Sequence, residues 1–260
     1  MQNKLVSIAM ATYNGEKFLC EQLDSIYNQT YKNIEVVVCD DCSTDKTAEI
    51  LEKYRQKYGL KYYINEKNLG YVKNFEKATS LCSGEFIAFS DQDDIWLPEK
   101  IEMLVNEIGD YSLVHTDSEL INSNSLSLDD TRNKRLFREN DSEPAINFGS
   151  INKKVSIQGC TCLFKREILK KVFPFKKNKA HDVWVGIIAL KMNGIKYIDE
   201  SLVKYRLHGN NVCGINPECE YLKCIKFFKK NFPFLYSKAR YLYRLVNHLD
   251  IQFELKQRGL

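Results

Sequence analysis

Short apolar runs alternate with helix-patterned segments over the first 116 residues, and this alternation leaves few folds open. Residues 5–11 (LVSIAMA), 34–39 (IEVVVC), 61–64, 85–89 and 112–116 read as strands. Between them, 17–27 carries Phe18, Leu19, Leu23 and Ile26 on one helical face, and 47–58 carries Leu51, Tyr54 and Tyr58 at helical spacing. Helices are also expected at 71–81 and 98–108. This order predicts βαβ units and an α/β fold with a mostly parallel central sheet flanked by helices. Ligands of such sheets bind beyond the carboxyl ends of the strands. Asp40-Asp41 and Asp91-Gln92-Asp93 both lie at such ends, so one cleft can hold both.

The strand ending Phe86-Ile87-Ala88-Phe89 runs into Ser90-Asp91-Gln92-Asp93-Asp94. Three carboxylates so close repel one another unless something neutralises them. In extended chain Asp91 and Asp93 share a face. Two oxygen donors facing one spot suit Mg²⁺ or Mn²⁺. The plainer reading is a solvated turn, with Asp94 capping the helix that Pro98 starts.

After residue 116 the pattern breaks. Residues 117–150 are rich in Ser, Asn and Asp and read as a long loop or irregular structure over a binding site. Order returns at 155–164, followed by helices at 166–172 and 182–192 and strands at 195–198 and 202–207. From Tyr221 onward Lys223, Lys226, Lys229, Lys230, Lys238, Arg240 and Arg244 alternate with phenylalanines and tyrosines, opposed only by Asp250 and Glu254. Such a tail fits the surface of an anionic membrane. It equally fits an amphipathic helix packed on its own domain. The net charge of +4 is too small to favour nucleic acid. The expected division is a domain at 1–215, made of halves 1–116 and 117–215, with a basic aromatic helical tail at 216–260.

With 44% hydrophobic residues the chain can bury a sizeable core. It shows neither a signal peptide nor an apolar stretch long enough to span a bilayer, so a cytoplasmic location is expected, at most peripheral to the inner membrane face. The nine cysteines are then expected as thiols. Cys39 and Cys42 have CxxC spacing, but the two aspartates between them argue against a redox pair, and Cys39 reads as core. Cys213, Cys219, Cys224 and His208 match no common zinc spacing.

Taken in order, several segments resemble the family 2 glycosyltransferases, which have the GT-A fold. They are Ser7-Ile8-Ala9-Met10-Ala11-Thr12-Tyr13-Asn14-Gly15, Asp40-Asp41-Cys42-Ser43-Thr44-Asp45, Asn68-Leu69-Gly70, Ser83-Gly84-Glu85, Phe89 to Asp94, His181-Asp182-Val183-Trp184 and Tyr205-Arg206-Leu207-His208-Gly209-Asn210-Asn211. The likeness covers residues 4–212. The Asp-Gln-Asp-Asp-Ile-Trp and Tyr-Arg-x-His-x-x-Asn forms look most like the rhamnosyltransferase-like branch that builds bacterial surface polysaccharides. Cys42 stands where the family commonly has Gly, and Ala11 where it often has Pro.

The resemblance implies a nucleoside diphosphate sugar donor and a glycan or lipid-linked glycan acceptor. It places Ala11, Thr12 and Asn14 at the base and ribose, stacks Tyr13 on the base, and lets Asp41 accept from a pyrimidine N3–H, favouring UDP- or dTDP-sugars. Asn68, Lys73, Gln92 and Gly159 join the donor site. Asp91 and Asp93 form the DxD element that holds Mn²⁺ or Mg²⁺, with His208 completing the metal shell or touching the diphosphate. Asp182 is the candidate general base of an inverting transfer, a partly desolvated carboxylate beside Val183 and Trp184. His181 would orient it or line the cleft. Without the resemblance, Tyr13-Asn14 reads as a turn, and Asp41 and Asp182 as helix caps. Trp96 and Trp184 read as core. The rival readings are a sugar-nucleotide nucleotidyltransferase, which should carry a Gly-rich basic phosphate loop after the first strand, and a non-catalytic nucleotide-sugar or membrane-binding protein.

Overall fold

The computed structural model describes residues 4–134, 157–177, 179–209, 211 and 254–260. The chain divides into two compact units, Met1–Arg206 and Leu207–Leu260. The first unit is built on a sheet of nine strands among the described residues.

Its amino-terminal half is four parallel strands and their crossover helices. Strands β1 (Val6–Thr12), β2 (Ile34–Asp40), β3 (Lys61–Ile64) and β4 (Phe86–Ser90) alternate with helices α1 (Leu19–Tyr27), α2 (Thr47–Tyr58) and α3 (Tyr71–Ser80). β1 lies between β2 and β4, with Thr12 opposite Asp40 and Met10 opposite Ser90. Ile8, Met10, Val37, Ile87 and Phe89 are buried in the sheet, while Leu19, Leu23 and Ile26 bury one face of α1. At about 25 cal/mol per Å² this apolar burial is the main force holding the layers together. α2 ends at Gly59, in the left-handed region at φ 74°, whose N–H donates to Arg55 O. β3 is the edge strand and is mostly exposed.

The second half completes the sheet in mixed directions. β5 (Ile95–Trp96), α4 (Lys100–Glu107), β6 (Leu113–Ile121) and β7 (Ser127–Thr131) follow. A 3-10 turn (Gly159–Thr161) then leads into β8 (Cys162–Lys165). A second 3-10 turn (Arg166–Ile168) opens α5 (Leu169–Val172), and α6 (His181–Lys191) and β9 (Ile195–Arg206) close the unit. The strand order is β3-β2-β1-β4-β8-β6-β9-β5, with β7 on β6. β8 runs antiparallel to both β4 and β6, and β6 and β9 are parallel.

Several sequence expectations shift. Residues 117–150 are not wholly irregular: β6 continues to Ile121 and β7 returns along it. The two strands expected near 195–207 are one, because β9 bulges past β6, where Thr116 pairs with Ile198 but Asp117 with Ser201. A bulge of this kind breaks the apolar pattern without ending the strand. α4 starts at Lys100 with Glu99 at its N-cap. Asp94 therefore does not cap it. Trp96 and Trp184 are in the core, and the Trp184 indole N–H donates to Val172 O at 2.9 Å.

In the second unit the His208 N–H donates to Asn211 Oδ1, and Arg258 pairs with Glu254 at 2.7 Å. The basic tail positions 223–244 lie outside the described residues. No helix among the described residues is long and apolar enough to cross a membrane.

Candidate active site

The carboxyl ends of β1, β2 and β4 meet at one edge, and the three loops that leave them are tied together. The Tyr13 N–H donates to Gln92 Oε1 at 2.8 Å, and Gln92 Nε2 donates to Tyr13 O at 3.0 Å. Gln92 thereby clamps the loop after β1 to the loop after β4. A Cβ on Gly15 would lie 2.4 Å from Gln92 Oε1, so a side chain there would have to displace this clamp. Asn14, at φ 48°, donates from its N–H to Ser43 Oγ and accepts from the Thr44 N–H, joining the loop after β1 to the loop after β2. The Tyr13 ring is left 48% exposed at this rim, a free aromatic face.

Other predicted donor contacts are used internally. The Thr12 hydroxyl is buried and donates to Asp40 Oδ1, so its side chain does not face the cleft. Asp41 is buried as well. Its Oδ1 accepts from Asn65 Nδ2 and the Leu69 N–H, and its Oδ2 accepts from the Gly70 N–H, each at 2.8 Å. It thus anchors the Asn68-Leu69-Gly70 turn, where Asn68 Oδ1 also accepts from the Gly70 N–H. A carboxylate has about four acceptor positions, which leaves Oδ2 one more. Ala11 is half-buried and pairs with Cys39. The Lys73 ammonium pairs with Glu76 at 2.9 Å and borders a groove of about 550 Å³ with Leu69, Phe173 and Pro174.

The acidic loop sits at the centre. Asp91 and Asp93 are half-buried and Asp94 is fully buried. Burial pushes the Asp91 carboxyl well above the usual carboxylate range, and the charges of Asp94, Asp93 and Asp182 push it further. Asp94 is raised for the same reasons, burial first and Asp93 second. Gly159, whose N–H holds Asp182, is followed by Cys160, which gathers with Asp91 and Asp94, so the candidate base and the acidic loop lie on either side of one short turn. Asp182 lies in the first turn of α6, past the N-cap Ala180, so it is not the cap. Its Oδ2 accepts from the Gly159 N–H at 3.0 Å. A Cβ on Gly159 would lie 3.0 Å from His181 Nε2 and 3.4 Å from Asp182 Cβ, so glycine lets the backbone approach the base closely. His181 stacks on Phe75 with ring centroids 3.8 Å apart, and burial lowers its imidazole pKa, so it packs as a neutral ring beside the base.

Three ligand-type groups gather closely enough for a metal ion: Asp91, Asp94 and Cys160. Asp91 is the member this group shares with the expected set of Asp91, Asp93 and His208. His208 belongs to the second unit. The surroundings fit a divalent cation, because Asp94 Oδ2 is buried with no hydrogen-bond partner and the neighbouring Asp91 carboxyl is raised by burial and by the charges of Asp94 and Asp93. Carboxylate donors suit Mg²⁺ or Mn²⁺.

The structure adds two buried cations to the residues expected from the sequence. Lys100 is fully buried, its Nζ lies 3.0 Å from the Trp96 ring centroid without a hydrogen-bond partner, and burial lowers its pKa against the pull of Cys160, Cys162, Asp94 and Asp91. Its signal is a lysine four residues before Leu104, on the apolar stripe of α4 with Ile101. Arg206 is also fully buried, inside the Tyr-Arg-x-His segment, where nothing in the local sequence marks it as such.

The family model "Glycosyl transferase family 2" matches residues 7–173. The UDP-Glc:alpha-D-GlcNAc-diphosphoundecaprenol beta-1,3-glucosyltransferase WfgD of Escherichia coli is 32% identical over 218 residues, covering 82% of this chain and 81% of that protein. The dTDP-rhamnosyl transferase RfbG of Shigella flexneri is 33% identical, with 80% and 74% covered. The crystal structure of S. aureus TarS 1-349 in complex with UDP-GlcNAc superposes with a TM-score of 0.62 at 26% identity, over 86% of this chain and 65% of that one. A family model that spans most of the chain, relatives above 30% identity and a shared GT-A architecture agree: this chain is a glycosyltransferase and belongs to glycosyltransferase family 2.

Proposed function

We propose that the protein transfers a hexose, of rhamnose, glucose or galactose type, from a UDP- or dTDP-sugar to a hydroxyl of a lipid-linked glycan in surface polysaccharide synthesis, with inversion at the anomeric carbon. The observation that carries this reading is the Gly159-Cys160 turn at the strand ends, where the Gly159 N–H holds one Asp182 carboxylate oxygen and Cys160 gathers with Asp91 and Asp94 of the acidic loop. The related proteins support the substrate classes: WfgD is named for UDP-glucose and a diphosphoundecaprenol acceptor, RfbG for dTDP-rhamnose, and TarS was crystallised with UDP-GlcNAc.

In this reading Tyr13 offers its exposed face to the pyrimidine, Asn14 and Ala11 border the ribose, and the remaining Asp41 Oδ2 position accepts from N3–H. Asp91 and Asp93 hold a divalent cation, with Asp94 behind them. When bound, Mn²⁺ or Mg²⁺ neutralises the diphosphate as it leaves. Asp182 takes the proton of the acceptor hydroxyl while that oxygen attacks the anomeric carbon from the face opposite the diphosphate. The Gly159 N–H keeps Asp182 aimed through Oδ2. The basic tail meets the anionic inner face of the membrane, where a lipid-linked acceptor would lie.

A thermal-shift panel tests the donor. UDP- and dTDP-sugars with Mn²⁺ should raise the melting temperature, since a ligand that binds only the folded state stabilises it. A shift with GDP-sugars alone would reject the pyrimidine assignment. Asp182→Asn should keep the shift and lose turnover by about a thousandfold or more. The anomeric coupling constant of the product, read by NMR, should show inversion; retention would reject Asp182 as a base acting in a single displacement.

A further inference from the structure

Arg206 is the last residue of β9, and its guanidinium is fully buried. Nε donates to the main-chain carbonyl of Asp93 at 2.7 Å. One terminal nitrogen donates to Ser125 Oγ at 2.8 Å, in the turn between β6 and β7. The other pairs with Glu21 Oε2 at 2.5 Å, on α1. The Arg206 main-chain N–H donates to Asp94 Oδ1 at 3.1 Å. The guanidinium also lies 4.5 Å from the centroid of the Phe18 ring. Ser125 Oγ in turn donates to Glu21 Oε1 at 3.0 Å. One side chain therefore ties α1, the β6–β7 turn and the acidic loop to the end of β9.

Burying a guanidinium costs several kcal/mol unless its donors are met, and here each of three nitrogens has an acceptor. The planar fork fixes these acceptors relative to one another as a flexible ammonium cannot. Arg206 forms an ion pair with Glu21, whose side chain is 45% exposed. Arg206 grips Asp93 through the backbone. It therefore fixes where the Asp93 Cα stands while competing for neither of its carboxylate oxygens in these contacts.

We propose that Arg206 is the positioning residue of the acidic loop, setting the reach of Asp91 and Asp93 toward the cation and diphosphate of the donor. This rests on the proposed function. The test uses the full chain and Arg206→Lys, which keeps the charge and loses the fork. Binding of Mn²⁺ with UDP, followed by the electron paramagnetic resonance of free Mn²⁺, should weaken about tenfold or more, as for other groups that orient metal ligands. Binding of uridine alone, read by calorimetry, should change less than about twofold, because the Asn14 and Asp41 end of the site is tied to the loop after β2 and to the Asn68-Leu69-Gly70 turn by bonds that do not involve the acidic loop. Equal losses for both ligands, or no loss for either, overturn the proposal.

Hydrogen exchange of the ligand-free protein separates this from failure of the functional reading. Amides of residues 91–97 should exchange about tenfold faster or more in the variant, with β1 and β2 unchanged. Uniform acceleration, or none, overturns the positioning role. A wild-type chain that binds no UDP with any divalent cation overturns the functional reading instead. Should Arg206→Lys not fold, Ser125→Ala, which removes one of the acceptors, should show the same local acceleration to a smaller degree; its absence counts against the proposal.

Discussion

At the residue scale, the site is shaped by backbone that ordinary side chains resist. Asn14 and Cys42 hold positive φ, at 48° and 66°. Asn is among the few non-glycine residues that tolerate that region, and here its side chain also accepts from the Thr44 N–H across the neighbouring loop. Cys42 has no such excuse, and it stands where the family resemblance expects Gly. Cys42→Gly should raise stability by about 0.5–1 kcal/mol, the left-handed cost less the extra freedom of an unfolded glycine, and urea unfolding will measure it. His115 offers a second check. Burial lowers its imidazole to about 4, against about 6.5 for a free histidine. Between those values the unfolded chain takes a proton that the folded chain refuses. The stability contributed is therefore complete above about pH 6.5 and lost as pH falls toward 4, by at most about 3 kcal/mol. Comparing urea midpoints at pH 7 and about pH 4.5, His115→Leu should lose less stability than wild type; equal losses would reject this account. The carboxylates at the candidate site, Asp91, Asp93 and Asp182, stand out by residue type in the sequence. Arg206 does not, because a cation reads as solvated until the sheet closes over it, and Lys100 shows only through its place on the apolar stripe of α4.

At the element scale, four strands start from one carboxylate. Glu35, at the head of β2, accepts from Ser7 Oγ of β1, from the Ser83 N–H and Oγ just before β4, and from Lys61 Nζ of β3. Burial alone would raise its pKa, but these donors bring it down to about 2. Ser7 is itself fully buried and accepts from the Gly84 N–H, and a Cβ on Gly84 would meet Leu5 O at 2.6 Å. The corner thus has no room to rearrange. Glu35→Ala should destabilise the fold by about 2 kcal/mol, since it strands a buried hydroxyl and removes charge-assisted bonds. Thermal unfolding measures this, and a loss below about 0.5 kcal/mol would show that the corner stands without Glu35. The parallel half was readable because its strands are short, apolar and separated by helices with clear stripes. β5, β7 and the unbroken β9 were not readable. β5 has two residues, β7 is mostly exposed, and β9 hides its continuity behind a bulge. The antiparallel seat of β8 between β4 and β6 is a matter of topology, which no local pattern encodes.

At the scale of the whole molecule, charge is distributed unevenly, and that has a measurable consequence. The net charge is only +4, yet seven lysines and arginines fall within residues 223–244 with no acidic residue among them. That segment lies outside the described residues, so the expectation of membrane contact rests on its sequence alone. Each basic residue close to an anionic surface gains roughly 1 kcal/mol, and interleaved aromatic rings add apolar burial at the headgroup boundary. Several such contacts are enough to hold a protein reversibly. The full chain should therefore sediment with phosphatidylglycerol-containing vesicles at low salt and stay in solution with purely zwitterionic ones. Screening should release it, because the Debye length falls from about 10 Å at 0.1 M to about 3 Å at 1 M salt. Reversing two adjacent charges, Lys229→Glu with Lys230→Glu, should weaken the association at least about tenfold by the same arithmetic. A tail that instead lays its apolar face on its own domain would leave the chain unbound at any salt, and would make the double variant lose thermal stability rather than vesicle affinity. The two outcomes separate a membrane-seated transferase, which meets its lipid-linked acceptor in two dimensions, from one whose acceptor must reach it through solution.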